Sequence, residues 1–268
     1  MSDNPKKLDW ALVLGASSGF GAAACRAFAA DGLNIFGVHL DRRATLPLVD
    51  KVVSDIESHG RKARFFNSNA AQDDARESVL DAIMEELGEE SQGRIRAVLH
   101  SLAFGNLLPY TADGDSRTIS RAGMEMTFDV MAHSLVYWTR GLVERGILAE
   151  GGRVFAMTSE GSTKIWAHYG AVSAVKATLD AHVRRLAFEL APRGITVNAI
   201  RAGVTDTPAA RVIGGSDELL ARASSANPSG RLTTPKDVAN AMAALCDDRT
   251  YWITGNVIGV DGGEILTS

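Results

Sequence analysis

Ala11-Leu-Val-Leu-Gly15-Ala-Ser-Ser-Gly19-Phe-Gly21-Ala-Ala-Ala-Cys-Arg-Ala-Phe28 is the stretch on which the fold of this chain turns. An apolar run, a glycine turn and an alanine-rich run of helical character follow in the order strand, turn, helix. Glycine is needed where the backbone takes a positive φ and where a phosphate must approach the chain; the helix N-terminus that follows offers unpaired amides and partial positive charge. Gly15, Ser17, Ser18, Gly19, Phe20 and Gly21 are therefore candidates to cradle a dinucleotide pyrophosphate. Glycines also serve close helix packing, so it is the order of the flanking elements that makes the signal specific.

Working outward, apolar runs with strand character recur at Ala11–Leu14, Leu33–Leu40, Ala63–Phe66, Ala97–His100, Arg153–Met157, Thr196–Ile200 and Val257–Val260. Between them, Phe20–Asp31, Leu46–His59 and Asp74–Leu87 repeat apolar residues at helical spacing. Strict alternation of strand and helix implies right-handed crossovers, a parallel sheet covered on both faces, and ligands at the carboxyl ends of the strands. The expected fold is an α/β, Rossmann-type doubly wound sheet of about seven parallel strands, forming one dinucleotide-binding and catalytic domain over residues 1–268. No internal repeat or low-complexity run interrupts it.

Composition narrows the function. Hydrophobic residues make up 46% of the chain and charged residues 22%, the balance of a globular protein with a sizeable core. A net charge of −4, with arginines scattered among acids, provides no basic stripe for a nucleic acid. Cys25 and Cys246 stand in alanine-rich segments without metal or disulfide spacing, as expected of thiols in a reducing compartment. Met1–Asp9 is polar and Trp10–Leu14 is too short for a signal peptide or a membrane span, so the expected location is cytoplasmic. None of the six histidines pairs at ligand spacing, and no metal site is expected.

The spacing G-x-x-x-G-x-G resembles the fingerprint of the short-chain dehydrogenase/reductase family, and the resemblance runs nearly the length of the chain. Asn198-Ala-Ile-Arg-Ala-Gly203 and Gly255-Asn-Val-Ile-Gly-Val-Asp-Gly-Gly263 match it further on. By that resemblance Asn69 and Ala70 contact adenine, and Lys176 holds the nicotinamide ribose. Ser101 and Ala103, in His100-Ser-Leu-Ala-Phe104, and Gly203, Val204, Thr205 and Thr207 also belong to the cofactor site, the last two at the carboxamide. At the end of the second strand, His39-Leu-Asp41-Arg42-Arg43 holds both an acid, which favours NAD, and arginines, which favour NADP. Adjacent guanidiniums suit a dianionic phosphate, and Asp41 falls one place beyond the NAD-selective position, so the expected cofactor is NADPH, with NADH as the alternative.

Most members of that family carry a tyrosine four residues before the catalytic lysine, but here that position is Val172. Tyr169 stands seven residues before Lys176 instead. On a helix that separation is about 20° short of two turns, with a rise of roughly 10.5 Å, so both side chains share one face. A ketone oxygen is bonded to the carbon that receives hydride, whereas the oxygen of an enoyl thioester lies two bonds further on. Moving the acid outward therefore suits conjugate reduction. The Y-x6-K register resembles the enoyl-acyl-carrier-protein reductases, a divergent branch of the same family. The spacing from Ser159 to Tyr169 matches its NADPH-dependent, Bacillus-type members. His100-Ser-Leu-Ala-Phe104 is similar to the His-Ser-x-x-Phe of the NADH-dependent ones. Those carry a second tyrosine where this chain has Ser159. Asp129 stands where carbonyl-reducing members usually have a catalytic asparagine.

The resemblance implies hydride transfer to C3 of a trans-2-enoyl thioester, with Tyr169 stabilising the enolate oxygen, Lys176 holding the ribose and lowering the phenol pKa, and Ser159 assisting. It also implies a substrate lid over residues 205–231, an acyl carrier protein or coenzyme A as carrier, and a homotetramer. Arg201, Arg211 and Arg222 are candidates to meet an acidic carrier. Two other readings stay open: a carbonyl or hydroxysteroid-type reductase, and a catalytically silent NADP-binding protein.

Overall fold

The computed structural model describes residues 9–89, 93–114, 117–167 and 169–267. The expectation for the N-terminal residues 1–8 lies outside them. Strands β1 (Trp10–Leu14), β2 (Asn34–His39), β3 (Ala63–Asn67), β4 (Ile95–His100), β5 (Leu148–Thr158), β6 (Thr196–Ala202) and β7 (Val257–Val260) match the seven apolar runs. The helices are α1 (Gly19–Ala30), α2 (Leu46–Ser58), α3 (Asp73–Glu89), α4 (Arg121–Phe128), α5 (Ser134–Glu144), α6 (Gly170–Leu190), α7 (Pro208–Arg211), α8 (Ser216–Ala226) and α9 (Pro235–Leu245).

The strands form one sheet in the order β3-β2-β1-β4-β5-β6-β7, parallel at every pairing. Side chains alternate across a strand, and both faces are covered, so each strand supplies two cores. Leu12, Leu14, Phe36, Val38, Val98, Val154 and Val197 pack on one face against Leu80 and Ile83 of α3, Trp138 of α5, and Val175 and Leu179 of α6. Ala11, Val13, Ile35, Leu99, Phe155 and Ile200 pack on the other against Cys25 and Phe28 of α1, Val52 and Ile56 of α2, and Val238 and Met242 of α9. Both cysteines are free thiols, and burial pushes Cys25 up to about 12.

β5 starts at Leu148 rather than at Arg153. Leu148 pairs with Ile95, and the register then shifts so that Arg153 pairs with Ala97. Gly151, at φ +65°, lies within that irregular stretch.

The strand order reverses between β1 and β4, which opens a crevice at their carboxyl ends. Two glycines let the chain cross it. Gly15 has φ +89°, and a Cβ there would stand 2.5 Å from the Ser101 carbonyl oxygen. A Cβ on Gly21 would stand 1.9 Å from the Gly15 carbonyl oxygen, so α1 can start this close to β1 only without a side chain. Gly21→Ala is expected to lower stability by about 1–3 kcal/mol, the cost of overpacking a closed contact, read from the urea midpoint. An unchanged midpoint would mean that the turn yields more easily than its geometry implies.

Candidate functional site

The glycine turn is prepared for an anion. Ser18 is the N-cap of α1, yet its side chain makes no capping bond, and no acid occupies the first turn. The leading amides of the helix are thus left for an external acceptor, as binding of a pyrophosphate requires. Ser101 donates its backbone N–H to Leu14 O at 2.9 Å, which brings the loop after β4 against the turn. A Cβ on Gly19 would lie 3.5 Å from Thr207 Cγ2, so the segment after β6 closes on the same place. Candidates from three separated stretches therefore converge on one crevice, and its residues fit a dinucleotide.

At the end of β2 the structure refines the placement of Asp41. Its carboxylate lies 3.0 Å from His39 Nδ1, and its backbone exchanges hydrogen bonds with the Asn67 side chain at 3.0 Å each. Burial would raise its pKa, but hydrogen bonds from Thr45, Ser17 and His39 outweigh that and hold the carboxyl below its ordinary value. Through Ser17 the acid is tied to the glycine turn itself, a connection that the linear position of Asp41 does not reveal. Arg42 and Arg43 are exposed beside it. Further along, Asn69 Oδ1 accepts from Ala71 N at 3.1 Å, while Ala70 is buried and its carbonyl accepts from Trp138 Nε1 at 2.8 Å. Ala70 thus joins the core at the edge of the crevice.

Tyr169 is the N-cap of α6, and its carbonyl accepts the first helical bond, from Ser173 N at 2.7 Å. It therefore stands one residue ahead of the helix rather than within it. Its half-buried hydroxyl is hydrogen-bonded to Ser159; burial raises the phenol pKa and the Ser159 bond opposes the rise. The ring lies on Gly161, where a Cβ would be 2.5 Å from Tyr169 Cε1. Ser159 begins a short 3-10 turn, Glu160–Ser162, and accepts Gly161 N at 3.2 Å.

Lys176 is 6% exposed and donates to Met157 O, at the end of β5, at 2.6 Å. Burial lowers it to about 8, with Asp180 opposing. Behind it, His100 Nε2 lies 2.8 Å from Ser134 Oγ, which donates to Val130 O at 2.8 Å. Burial, and then the Lys176 charge, push His100 down to about 3, so the imidazole is neutral at physiological pH.

Val172, at the position four residues before the lysine, is 3% exposed. A Cβ on Gly105 would stand 2.9 Å from Val172 Cγ2 and 2.9 Å from Met131 Sδ, so the loop after β4 sits directly on it. That position is closed to a ligand. The packing roles of Gly105 and Gly161 were not legible in the sequence, because they depend on contacts with residues distant along the chain.

Arg211 is paired with Asp206 and Asp217, each at 2.6 Å, and Arg201 lies 3.5 Å from Asp261. Arg222 remains exposed. Asp129 occupies a π-helical turn, Asp129–His133, and lines a cleft with Arg76, Tyr137 and Arg140. The 205–231 stretch contains α7 and α8, with Thr207 capping α7 through Ala210 N. Among the described residues no cluster of three metal-ligating side chains occurs, and no helix is long and apolar enough to cross a membrane.

The crevice, the shifted tyrosine and the buried lysine set the frame for comparison. The family model described as Enoyl-(Acyl carrier protein) reductase matches residues 15–264. An enoyl-[acyl-carrier-protein] reductase [NADH] FabI of Nostoc sp. is 32% identical over 218 residues, covering 81% of each chain. The Escherichia coli protein of the same name is 32% identical over 194 residues, 71% of each. The crystal structure of the Aquifex aeolicus enoyl-[acyl-carrier-protein] reductase (NADH) superposes with a TM-score of 0.80 at 24% identity, covering 96% of both chains. LugOII, described as catalysing a keto-reduction, superposes equally well, with a TM-score of 0.82 at 23% identity and 97% and 99% coverage, so shape alone does not choose the reaction. With 250 of its residues spanned by that model, the chain belongs to the enoyl-(acyl carrier protein) reductase family.

Proposed function

We propose that this protein is an enoyl-acyl-carrier-protein reductase of fatty acid synthesis, reducing the C2–C3 double bond of a trans-2-enoyl thioester. The observation that carries the reading is the burial of Val172 beneath Gly105. The register used for ketones is closed, and the acid open to the crevice is Tyr169, further from the lysine. The bound nicotinamide supplies the hydride. As negative charge gathers on the thioester oxygen, the Tyr169 hydroxyl donates a hydrogen bond to it, with Ser159 fixing the direction of that hydroxyl. Lys176, anchored on Met157 O, presents the ammonium that holds the ribose and favours the developing oxyanion. C2 then takes a proton from solvent, leaving the saturated thioester.

For the cofactor, Arg42 and Arg43 favour a 2′-phosphate while Asp41 opposes one. Placement favours the acid. Asp41 is fixed on Ser17 and His39, whereas the arginines are exposed and have no ion-pair partner among the described residues. A fixed carboxylate repels a dianion at short range and accepts from ribose hydroxyls, so the geometry favours NADH over the NADPH that the arginines alone imply. The NADH-named relatives support the same choice. A single domain over residues 1–268, a cytoplasmic location, homotetrameric assembly and an acyl-carrier-protein partner complete the reading.

Assays with a crotonyl thioester and a panel of ketones, each with NADH and NADPH, test it. The expected outcome is enoyl reduction with NADH preferred, and a loss of roughly 10²–10⁴ in kcat for Tyr169→Phe, the usual worth of a positioned acid. Ketone reduction without enoyl reduction, or a Tyr169→Phe variant as fast as wild type, would reject the assignment.

The buried lysine predicts opposite pH trends for binding and stability. Folded Lys176 loses its proton near 8, whereas the unfolded chain keeps it to 10.5, so the unfolded state binds more protons in between. The contribution of this group to apoprotein stability therefore rises with pH across that window. NADH affinity, which needs the ammonium, falls as pH rises through about 8. Fluorescence titration of NADH from acid to alkaline pH should show that fall, and Lys176→Met should bind weakly with a flat profile. A wild-type affinity that stays level would show that the charge is not used.

A further inference from the structure

The segment after β7 meets the lid at both ends. At the start of the lid, Val204 N lies 3.2 and 3.1 Å from the two carboxylate oxygens of Glu264, a residue only 2% exposed. Gly203 is held to Val260 O at 3.2 Å, and a Cβ on it would be 2.8 Å from Glu264 Oε2 and 2.4 Å from Thr233 Oγ1. At the far end, Asn227 Nδ2 donates to Asp261 O at 2.8 Å and Thr267 Oγ1 donates to Ala226 O at 2.6 Å. A Cβ on Gly263 would stand 3.4 Å from Pro228 Cγ. Seven residues, 261–267, thus grip the chain immediately before α7 and immediately after α8.

We propose that Glu264 is a positioning residue that fixes the Gly203–Thr207 hinge, so that the C-terminal segment holds the lid by both ends. A hydrogen bond from an amide to a carboxylate is stronger than one to a neutral acceptor, and removing the acceptor leaves the part-buried Val204 N–H without this partner. The hinge needs such a hold because it carries Thr205 and Thr207 into the crevice. Thr205 Oγ1 is turned back on Gly203 O at 2.9 Å, and Thr207 meets the glycine turn at Gly19.

The carboxylate is kept at some electrostatic cost. Burial raises its pKa, and Glu160 and Asp261 raise it further, while Val204 N–H and Asn227 lower it. Glu160, facing it from the connection after β5, is paired with Lys164 at 3.0 Å, and Asp261 faces Arg201 at 3.5 Å.

The inference rests on the proposed cofactor site for the meaning of the hinge, but its test separates the two. Amide hydrogen exchange is followed over 204–226, β4 and α6 in wild type, Glu264→Gln and Glu264→Ala, without and with NADH, alongside NADH binding. Exchange in the lid of the apoprotein should rise in the order wild type, Gln, Ala, by about tenfold or more for Ala, with β4 and α6 unchanged. NADH affinity should fall in the same order. If Glu264→Ala does not fold, raised exchange confined to the lid of Glu264→Gln supports the inference equally. Unchanged lid exchange, or a uniform rise that includes β4 and α6, overturns it. Lid effects in a protein that binds no NADH would instead reject the cofactor reading and leave the hinge intact.

Discussion

The approach of the glycine turn to the Ser101 backbone is the constraint on which the remaining geometry depends. Because Gly15 and Gly21 carry no Cβ, α1 starts directly over the end of β1, and the loop after β4 closes to within hydrogen-bonding distance of Leu14. That closeness aims the amides of α1 across the switch point of the sheet, where a parallel architecture leaves its one natural crevice. It also sets the course of the chain beyond Ser101. The same loop, reaching Gly105, packs directly on Val172.

Around that constraint the site separates charged from neutral groups by burial. Lys176 is placed on a backbone carbonyl with Asp180 as a remote counter-charge, His100 behind it stays neutral, and Tyr169 is kept protonated by the partial burial of its ring. A neutral phenol and a buried ammonium are the groups wanted by a reaction that builds negative charge on oxygen and must not surrender a proton before it does. Family membership and this arrangement point the same way. Superposition alone does not, since a keto-reductase shares the shape.

Much of this was legible in the sequence because its causes are local. Strand periodicity, the order of the glycine turn, and the distance from Tyr169 to Lys176 are set by neighbours along the chain, and the seven strands fall where the apolar runs are. What was not legible depends on contacts between distant segments. Asp41 reads as lying one place beyond the selective position, and its hydrogen bond to Ser17 of the glycine turn is not visible in the sequence. Arg201 meets Asp261, 60 positions further along, a contact that its place in the sequence does not reveal. Asp129 lies on a π-helical turn and lines a cleft with two arginines, a placement that carries no sequence signal. Glu264 carries no motif at all, and its role follows only from the meeting of β6 and the C-terminal segment.

The central claim is that the crevice directs reduction to carbon rather than to a carbonyl. The most direct measurement uses NADH deuterated at the nicotinamide C4 on both faces and an equimolar mixture of a crotonyl thioester and an acetoacetyl thioester, with products read by NMR. The account predicts a butyryl thioester with one deuterium at C3 and a solvent-derived proton at C2, while the acetoacetyl thioester is recovered unlabelled. Deuterium on the carbinol carbon of a 3-hydroxybutyryl thioester, with the crotonyl thioester untouched, would contradict it.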